Sequence, residues 1–317
     1  MNRKFEARDG VRSKVPLLVG VTGASSSGKT FSMLRIAMGM QRVTGGNIHV
    51  IDTESGRALH YADRFRFKHV PMEPPYNPLS YLQAIEFCAE QGPGPIIVDQ
   101  LSYEHDGCGG VLEMHAAEVD RLAGDDWKKA ERIKMLCWQK PKAERRKLIN
   151  ALVQMNRCII FGFRAKEKLK MEKGKEPTPL GFMPICGEEF QYELTANALL
   201  MPCSGGVPTW QSIEIGEKQI IKMPDQFRSH FASKEGPLDE ADGEFMARWA
   251  SGIPTAPAAS FEEITAELAA VKTIEDLNKV KAMANASRQR LTKDQSEQLR
   301  LEFQQASDDI AALAATA

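Results

Sequence analysis

The residues best able to do chemistry lie near the start of the chain, where residues 23–30 read GASSSGKT. This is the G-x-x-x-x-G-K-[ST] spacing of a phosphate-binding loop, and it follows an apolar run and precedes a helical pattern. Glycines let successive backbone N–H groups turn toward phosphate oxygens, and the following helix presents its positive end. An ordinary Gly/Ser turn is the alternative. The motif predicts a nucleoside triphosphate site made of eight residues: Gly23, Ala24, Ser25, Ser26, Ser27, Gly28, Lys29 and Thr30.

Within this loop, Lys29 is expected to reach the β- and γ-phosphates, and the Thr30 hydroxyl to hold Mg²⁺. A second metal-facing group is predicted at Asp99, since the run Pro95-Ile-Ile-Val-Asp99 ends an apolar strand with a carboxylate. Such a carboxylate organises the water shell of Mg²⁺ or contacts the ion opposite Thr30. Its alternative is an aspartate that begins a turn.

A candidate for activating water follows the second predicted strand, where residues 48–54 read IHVIDTE. Glu54 lies just past the C-terminal end of that strand, the edge at which open α/β sheets bind ligands. We therefore predict that Glu54 polarises an attacking water. The alternative is a solvated glutamate in a loop.

The elements that must position these residues alternate between short apolar runs and longer helical patterns. Apolar runs without polar alternation indicate strands covered on both faces, so the fold is predicted to be α/β with a mainly parallel sheet. Predicted strands are Leu17–Thr22, Ile48–Asp52, Phe67–Val70, Pro95–Asp99, Cys158–Phe163 and Ala198–Met201; predicted helices are Lys29–Arg42, Leu79–Gln91, Val111–Leu122 and Lys142–Met155. A later β-hairpin or edge pair is predicted from Gln211–Ile215 and Gln219–Lys222, and a helix from Gly243–Ala250.

Composition limits the class of protein. The chain has 317 residues, 43% of them hydrophobic, and a formal net charge of −1, which predicts about two domains with buried cores. Any affinity for nucleic acid must then come from local basic surface. The six scattered cysteines fit reduced core thiols, and the absence of a long apolar stretch or signal-peptide pattern predicts a cytoplasmic protein that does not enter membranes.

Four segments are predicted along the chain. Residues 1–15 form an N-terminal arm, 16–250 the nucleotide-binding core, 251–259 a Pro/Ala linker and 260–315 a helical interaction domain. The last domain shows helical spacing over Phe261–Lys272, Ile274–Ala286 and Lys293–Leu313, and Ser260 with Glu263 forms a capping-box pattern. We expect these helices to bind partners or support oligomerisation.

Four stretches in order, GASSSGKT, VIDTESGRAL, PIIVDQLS and CIIFGFRAKEK, resemble the motifs of RecA-type ATPases. Residues 177–200 and 220–225 are similar to phage-encoded RecA-core ATPases of the Sak-type single-strand annealing and recombination group. The resemblance implies ATP and Mg²⁺ as cofactors, a homo-oligomeric ring or filament, and nucleotide binding and hydrolysis by Lys29, Thr30, Glu54 and Asp99.

The resemblance also assigns two basic residues near the γ-phosphate. Arg164 occupies the strand end where RecA-type proteins place a polar sensor, often Gln or His, so arginine is a departure that leaves phosphate sensing and DNA contact both open. Lys222 matches the position from which a neighbouring subunit completes the active site, although the family often has two basic residues there and this chain has one before Arg228.

In RecA-type proteins two loops face the DNA, and they correspond here to residues 103–110 and 166–185. The second loop is rich in lysine and has an aromatic ring, which suits a single strand because lysines neutralise phosphates and rings stack on bases. The predicted DNA-binding residues are Lys166, Lys168, Lys170, Lys173, Lys175 and Phe182. The alternative is a flexible, solvated charged loop, since Glu167, Glu172 and Glu176 dilute the charge.

A second basic stretch, residues 128–147, contains nine basic and two acidic residues. It is either an outer path for DNA or the wet face of two helices broken at Pro141, with Trp127, Ile133 and Leu136 as their packed side.

The sequence thus predicts a Mg-ATP-dependent ATPase that binds single-stranded DNA in phage-type recombination, annealing or repair. The alternative is a P-loop switch, loader or packaging adaptor acting on a protein partner. A small-molecule kinase is a weaker third class, because no acceptor pocket or lid is evident. An annealing or single-strand-binding protein is the expected partner of the C-terminal helices.

Overall fold

The computed structural model describes residues 7, 10, 12, 15–232, 234–253, 260–271, 273–287 and 291–316. The chain divides into two compact units, Met1–Ile253 and Pro254–Ala317. Most of the predicted N-terminal arm and most of the predicted linker lie outside the described residues.

The first unit contains an eight-stranded, mainly parallel sheet. Its strands are β1 (Leu17–Gly23), β2 (His49–Asp52), β3 (Lys68–Pro71), β4 (Ile96–Asp99), β5 (Cys158–Lys170), β6 (Thr178–Pro184), β7 (Ala196–Leu200) and β8 (Pro208–Thr209). The order across the sheet is β3-β2-β4-β5-β1-β7-β8, and β6 pairs only with β5. The α/β class with a mainly parallel sheet, predicted from the apolar runs, is confirmed.

Helices cover both faces of this sheet. They are α1 (Lys29–Thr44), α2 (Pro78–Glu90), α3 (Tyr103–Asp106), α4 (Val111–Ala123), α5 (Trp127–Ile133), α6 (Gln139–Gln154), α7 (Glu188–Glu193), α8 (Glu217–Ile220), α9 (Asp225–Phe231) and α10 (Glu240–Ala250). Short 3-10 turns occupy Arg57–Tyr61 and Leu136–Trp138.

The central strand β1 shows why its residues form a buried strand. Leu17, Val19 and Val21 pack into the core on the face covered by α1 and α10. Leu18 joins the core on the opposite face, which α2 and α6 cover. Because both faces are covered, β1 has no polar alternation, which is the signature of a parallel-sheet strand.

The sheet order places β5 between β1 and β4. Gly23 pairs in register with Arg164, and Asp52 pairs with Asp99. Since parallel strands end at the same edge, the phosphate loop after β1 and the acidic ends of β2 and β4 share one edge of the sheet. This arrangement is an α/β core that carries the phosphate-loop motif at the carboxyl edge of its sheet.

Two local predictions about this unit are wrong. The segment expected to be a β-hairpin around Gly216 forms bends and the short helix α8, and Lys222 makes only an isolated bridge to Asn197. The segment 166–185, expected to be a loop, is a two-stranded arm made by β6 and the outer half of β5. We call this element the hairpin arm, residues 165–184.

The basic segment around Pro141 also differs from the expectation. Helix α6 begins at Gln139, so Pro141 lies in its first turn, where a missing N–H breaks no helical bond. Trp127 and Leu136, expected on a packed face, are 70% and 53% exposed. The chain therefore turns at Leu136–Trp138 and not at the proline.

The described residues of the second unit form three helices, α11 (Phe261–Ala269), α12 (Ile274–Ser287) and α13 (Lys293–Thr316). Ser260 and Glu263 form the predicted capping box, in which each side chain accepts a backbone N–H of the other residue. Ile264, Leu277 and Leu299, one from each helix, are buried in a shared core.

None of the helices among the described residues is long and apolar enough to cross a membrane. All six cysteines are free; Cys88, Cys137 and Cys158 are buried, whereas Cys108 and Cys203 are exposed. The expectation of core thiols thus fails for the last two.

Candidate nucleotide site and the adjoining hairpin arm

The phosphate loop, residues 24–28, connects β1 to α1 through two left-handed residues. Ser26 has φ 59° and Gly28 has φ 93°. A Cβ at Gly28 would lie 2.7 Å from the backbone nitrogen of Gly206, so a side chain is excluded by space as well as by conformation. The loop therefore requires glycine at this position for a packing reason that the motif alone does not contain.

A second loop supports the phosphate loop from the other side. The Gly206 N–H donates to the Ser27 carbonyl oxygen at 2.9 Å, and the Ser204 hydroxyl donates to the same oxygen at 3.3 Å. Sequence reasoning missed this loop. Its only signal was the run Ser204-Gly205-Gly206, which begins three residues after the end of the predicted strand Ala198–Met201.

Lys29 lies across the phosphate loop. Its ammonium donates to the carbonyl oxygens of Gly23 at 2.9 Å and of Ala24 at 2.6 Å. Burial lowers the pKa of this ammonium, and the nearby charges of Asp99 and Glu54 oppose that lowering. The Lys29 charge is thus held over the loop beside two carboxylates.

Thr30 and Asp99 meet below the loop. The Thr30 hydroxyl donates to Asp99 Oδ2 at 2.7 Å. Asp99 is 4% exposed, and burial raises the pKa of its carboxyl to about 6, although the Thr30 hydrogen bond acts against the rise. Both groups are oxygen donors, which Mg²⁺ prefers, so the residues present fit this cation.

Glu54 is positioned by a tight turn at the end of β2. The buried Asp52 carboxylate accepts the Glu54 N–H at 2.7 Å and the Ala58 N–H at 3.1 Å, and contacts His69 Nε2 at 3.0 Å. Asp52, at the end of β2, thus holds the backbone of residues 52–58 in place. The Glu54 carboxylate is mostly shielded and approaches Arg57 at 3.3 Å.

Gln100 is a further site residue that sequence reasoning missed. Its side-chain amide donates to Glu54 Oε1 at 2.7 Å, and its backbone N–H donates to Thr53 Oγ1 at 3.0 Å. The amide oxygen of Gln100 is buried and has no hydrogen-bond partner among the described residues. In the sequence, the only sign that Gln100 belongs to this site is its position directly after Asp99.

Arg164 lies beside the start of the phosphate loop, because it pairs with Gly23 across β5 and β1. Its guanidinium donates to Asp106 at 2.9 Å and lies 4.6 Å from the centre of the Tyr103 ring. Its buried Nε has no partner among the described residues. Arg164 therefore stands next to the loop, with its charge paired to α3.

Lys222 is not brought to the phosphate loop of its own chain. Lys222 forms an isolated β-bridge with Asn197. Asn197 lies three residues, or about 10 Å, before Leu200, the end of β7 that pairs with Gly23 at the start of the phosphate loop. The Lys222 ammonium donates to the Tyr192 carbonyl oxygen at 2.7 Å, and burial lowers its pKa.

The hairpin arm separates the predicted DNA-contacting residues into two faces. Lys166 and Lys168 share a face with Arg164, since alternate residues of a strand point the same way. Phe182 pairs with Glu167 on the opposite face, so the arm does not bring the ring together with these two lysines.

Nearer its tip, the arm carries charge pairs and exposed apolar residues. Lys170 and Lys175 both pair with Glu172, and Lys173 is exposed. Leu169 and Met171 are 61% and 73% exposed.

The base of the arm is fastened to α8. The buried Glu217 carboxylate accepts the N–H groups of Phe182 at 3.3 Å, Ile213 at 3.0 Å and Glu214 at 3.3 Å. Gly181 has φ 72°, and a Cβ there would lie 2.5 Å from a Glu217 carboxylate oxygen. The arm is thus a fixed element at its base.

No protein-family model and no curated protein sequence matches the chain. A solved structure of a KaiC-like protein, PH0186, from Pyrococcus horikoshii OT3 is similar at 16% identity. That similarity covers 53% of this chain and 84% of the other, with a TM-score of 0.28. A likeness of this size adds nothing about function to what the residues themselves indicate.

The class defined by fold and site is therefore an α/β protein with a phosphate-loop motif at the carboxyl edge of a mainly parallel sheet. Its sheet edge brings together Lys29, Thr30, Glu54 and Asp99, the four residues predicted from three separate motifs. Chemically, this edge can hold phosphate oxygens, a hard cation and an oriented water.

Proposed function

We propose that this chain is a Mg-ATP-dependent ATPase that binds single-stranded DNA and acts in phage-type recombination, annealing or repair. The observation that carries the ATPase part is the Thr30–Asp99 hydrogen bond directly below a phosphate loop, with the Glu54 carboxylate at the same edge. The phage-type role rests on the sequence resemblance stated above.

On ATP binding, Lys29 exchanges the carbonyl oxygens of Gly23 and Ala24 for β- and γ-phosphate oxygens. The Thr30 hydroxyl and the Asp99 carboxylate would hold Mg²⁺, which would supply positive charge against the phosphate oxygens. Glu54 then polarises the attacking water, while the Gln100 amide holds one oxygen of that carboxylate in place. The buried surroundings of Asp99 strengthen every charge interaction at this edge.

Binding of a single strand is supported by the hairpin arm. Lys166 and Lys168 extend a positive face outward from Arg164, which itself adjoins the phosphate loop. Single-stranded DNA that lies along this face would contact the hairpin arm, and the inner end of the arm adjoins the phosphate loop. We propose that this continuity couples ATP binding to DNA binding.

Oligomer assembly belongs to the same proposal. Because Lys222 lies away from its own phosphate loop, any role for it in hydrolysis requires the loop of a neighbouring subunit. The helices α11–α13 are proposed to bind an annealing or single-strand-binding protein.

A second candidate, a nucleotide-driven switch or loader acting on a protein, is favoured by one observation. Leu169 and Met171 are exposed apolar residues near the tip of the arm, and exposed apolar groups suit a protein contact.

The deciding experiment measures the ATPase rate of the full chain with Mg²⁺, with and without a single-stranded oligothymidylate. The proposal expects hydrolysis that rises when the oligonucleotide is added. The Lys29→Ala variant serves as the control, because it loses the charge that holds the phosphates and is expected to bind ATP only weakly. Hydrolysis without any response to DNA would favour the switch, and unchanged ATP affinity in Lys29→Ala would overturn the nucleotide site.

A further inference from the structure

A second positive surface lies on α5 and the first half of α6, away from the hairpin arm in sequence. Of the nine basic residues between 128 and 147, two have carboxylate partners: Arg145 is buried against Glu104 at 2.9 Å, and Lys134 pairs with Glu131 at 3.5 Å. The others include exposed residues that form no ion pair with an acidic side chain in the described part of the chain: Lys128, Lys129, Lys140, Lys142, Arg146 and Lys147. The positive charge of this segment is therefore directed to solvent.

An exposed aromatic ring begins this surface. Trp127 is 70% exposed, and the Lys128 ammonium lies 5.6 Å from the centre of its ring. A large ring is costly to leave in water, and a cation beside it favours contact with an electron-rich, flat ligand. Single-stranded DNA has flat bases beside backbone phosphates, so it can contact both the ring and the cations. An acidic peptide would contact the cations and leave the Trp127 ring exposed to water.

A cleft adjoins the exposed charges of α6. It has a volume of about 370 Å³ and is lined by Met135, Trp138, Gln139, Lys142, Ala143 and Arg146. Lys142 and Arg146 are four residues apart on one helix face, about 6 Å along the axis, so both cations can face one ligand. None of the lining residues is acidic.

One wall of this cleft is held in place. The Trp138 ring stacks on His115 with 4.0 Å between ring centres, and His115 Nε2 contacts the Lys134 carbonyl oxygen at 2.8 Å. The aromatic wall is thus anchored to α4, which favours a preformed site over a loose charged patch.

We propose that α5 and the first half of α6 bind single-stranded DNA at a second site that does not require nucleotide. We call this the α5–α6 surface, defined by Trp127, Lys128, Lys140, Lys142 and Arg146. It goes beyond the proposed ATPase, because it requires neither ATP nor the sheet edge.

The test measures binding of a fluorescent oligothymidylate to the full chain, without nucleotide, over a series of salt concentrations. The variant K140Q/K142Q/R146Q removes three exposed charges of the α5–α6 surface. Each lost phosphate contact lowers the slope of log affinity against log salt by about 0.7, so the triple variant is expected to lose about 2 units of slope.

The matched control R66Q/K68Q/R300Q removes three exposed charges elsewhere and is expected to keep the parent slope. Equal slopes for parent, test and control variants would overturn the proposal. Equally effective competition by polyglutamate and by oligothymidylate would also overturn it, because an acidic peptide would then satisfy the surface.

The aromatic contribution is tested separately. Trp127→Ala is expected to weaken affinity about fivefold or more with little change of slope, because stacking involves no counterions. Leu136→Ala removes another exposed apolar side chain from the same segment and is expected to have little effect. Equal affinities for the two variants would remove the ring from the site.

This inference and the proposed ATPase fail differently. If the chain hydrolyses no ATP but K140Q/K142Q/R146Q loses DNA affinity, the α5–α6 surface stands and the ATPase proposal falls. If hydrolysis is stimulated by DNA while this variant binds like the parent, the ATPase stands and the α5–α6 surface is rejected.

Discussion

The sheet edge that carries the phosphate-loop motif adjoins the hairpin arm, but the charged residues of the two regions are held in opposite ways. At the edge, Asp52 and Asp99 are nearly fully buried, and each makes hydrogen bonds shorter than 3.2 Å. On the arm, Lys166, Lys168 and Lys173 are exposed, and the carboxylate of Glu172 holds two other lysines. Burying the carboxylates at the edge costs free energy of folding, whereas the lysines on the arm remain solvated.

Because of this difference, substitutions in the two regions are expected to have different effects. Substitutions at the edge change the stability of the protein together with its chemistry, because buried charges are costly and tightly bonded. Substitutions of the exposed charges on the arm change contacts with a partner and leave the fold nearly unaltered, because exposed ion pairs contribute little. The predictions below test this contrast, beginning with the largest effect.

Glu54→Gln is expected to have the largest effect. The variant keeps the size of the side chain but loses the charge that polarises water, so hydrolysis should fall by about 10²- to 10⁴-fold while ATP still binds. Steady-state hydrolysis and equilibrium ATP binding measure the two parts. Hydrolysis at the parent rate would mean that the general base lies elsewhere.

Asp99→Asn is expected to stabilise the protein without ligands. Burial raises the pKa of Asp99 from 3.8 to about 6, so the folded chain binds this proton more tightly than the unfolded chain. The stability that protonation contributes is complete below about pH 3.8 and is lost as the pH rises through about 6.

The asparagine cannot ionise, so at pH 7.5 the variant should exceed the parent by on the order of 1–3 kcal/mol, and the gain should disappear near pH 4. Urea unfolding at both pH values measures it. Asp225→Asn, at an exposed carboxylate, is the control. A variant less stable than the parent at pH 7.5 would show that the Thr30 contact outweighs the cost of burial.

Gly181→Ala is expected to loosen the hairpin arm. The position has φ 72°, and the added Cβ would displace the Glu217 carboxylate that holds three backbone N–H groups. We expect a loss of about 1–3 kcal/mol and faster hydrogen exchange along β6.

Gly174→Ala is its matched control. Gly174 is also left-handed, with φ 80°, but a Cβ there meets no atom within 4 Å. The control therefore carries the backbone strain alone. Equal losses for both variants would mean that the Glu217 contact contributes nothing to the arm.

Lys168→Gln is expected to have the smallest effect. If Lys168 contacts a phosphate of single-stranded DNA, the salt slope of binding should fall by about 0.7, with no change in thermal unfolding. Lys68→Gln, on an exposed edge strand, is the control. Identical slopes for the two variants would return Lys168 to the solvated-charge interpretation.

The sequence by itself determined most of the candidate nucleotide site. The phosphate loop, the carboxylate of Asp99 and the carboxylate of Glu54 each follow an apolar run, and such runs become parallel strands that end at one edge. Their meeting is therefore predictable from local pattern. Strand β5 was predicted only as far as Phe163, because its exposed outer half has no core face to impose an apolar pattern.

Only the tertiary structure decided which distant groups support this site. Gly206 braces Ser27, Gln100 holds Glu54, and Glu217 fastens the hairpin arm, and none of these contacts follows from spacing along the chain. The same holds for Trp127, whose helical pattern suggested a packed face that no neighbouring element covers within the described part of the chain. Local sequence specifies the strands and their ends, whereas contacts between remote loops depend on how the whole sheet packs.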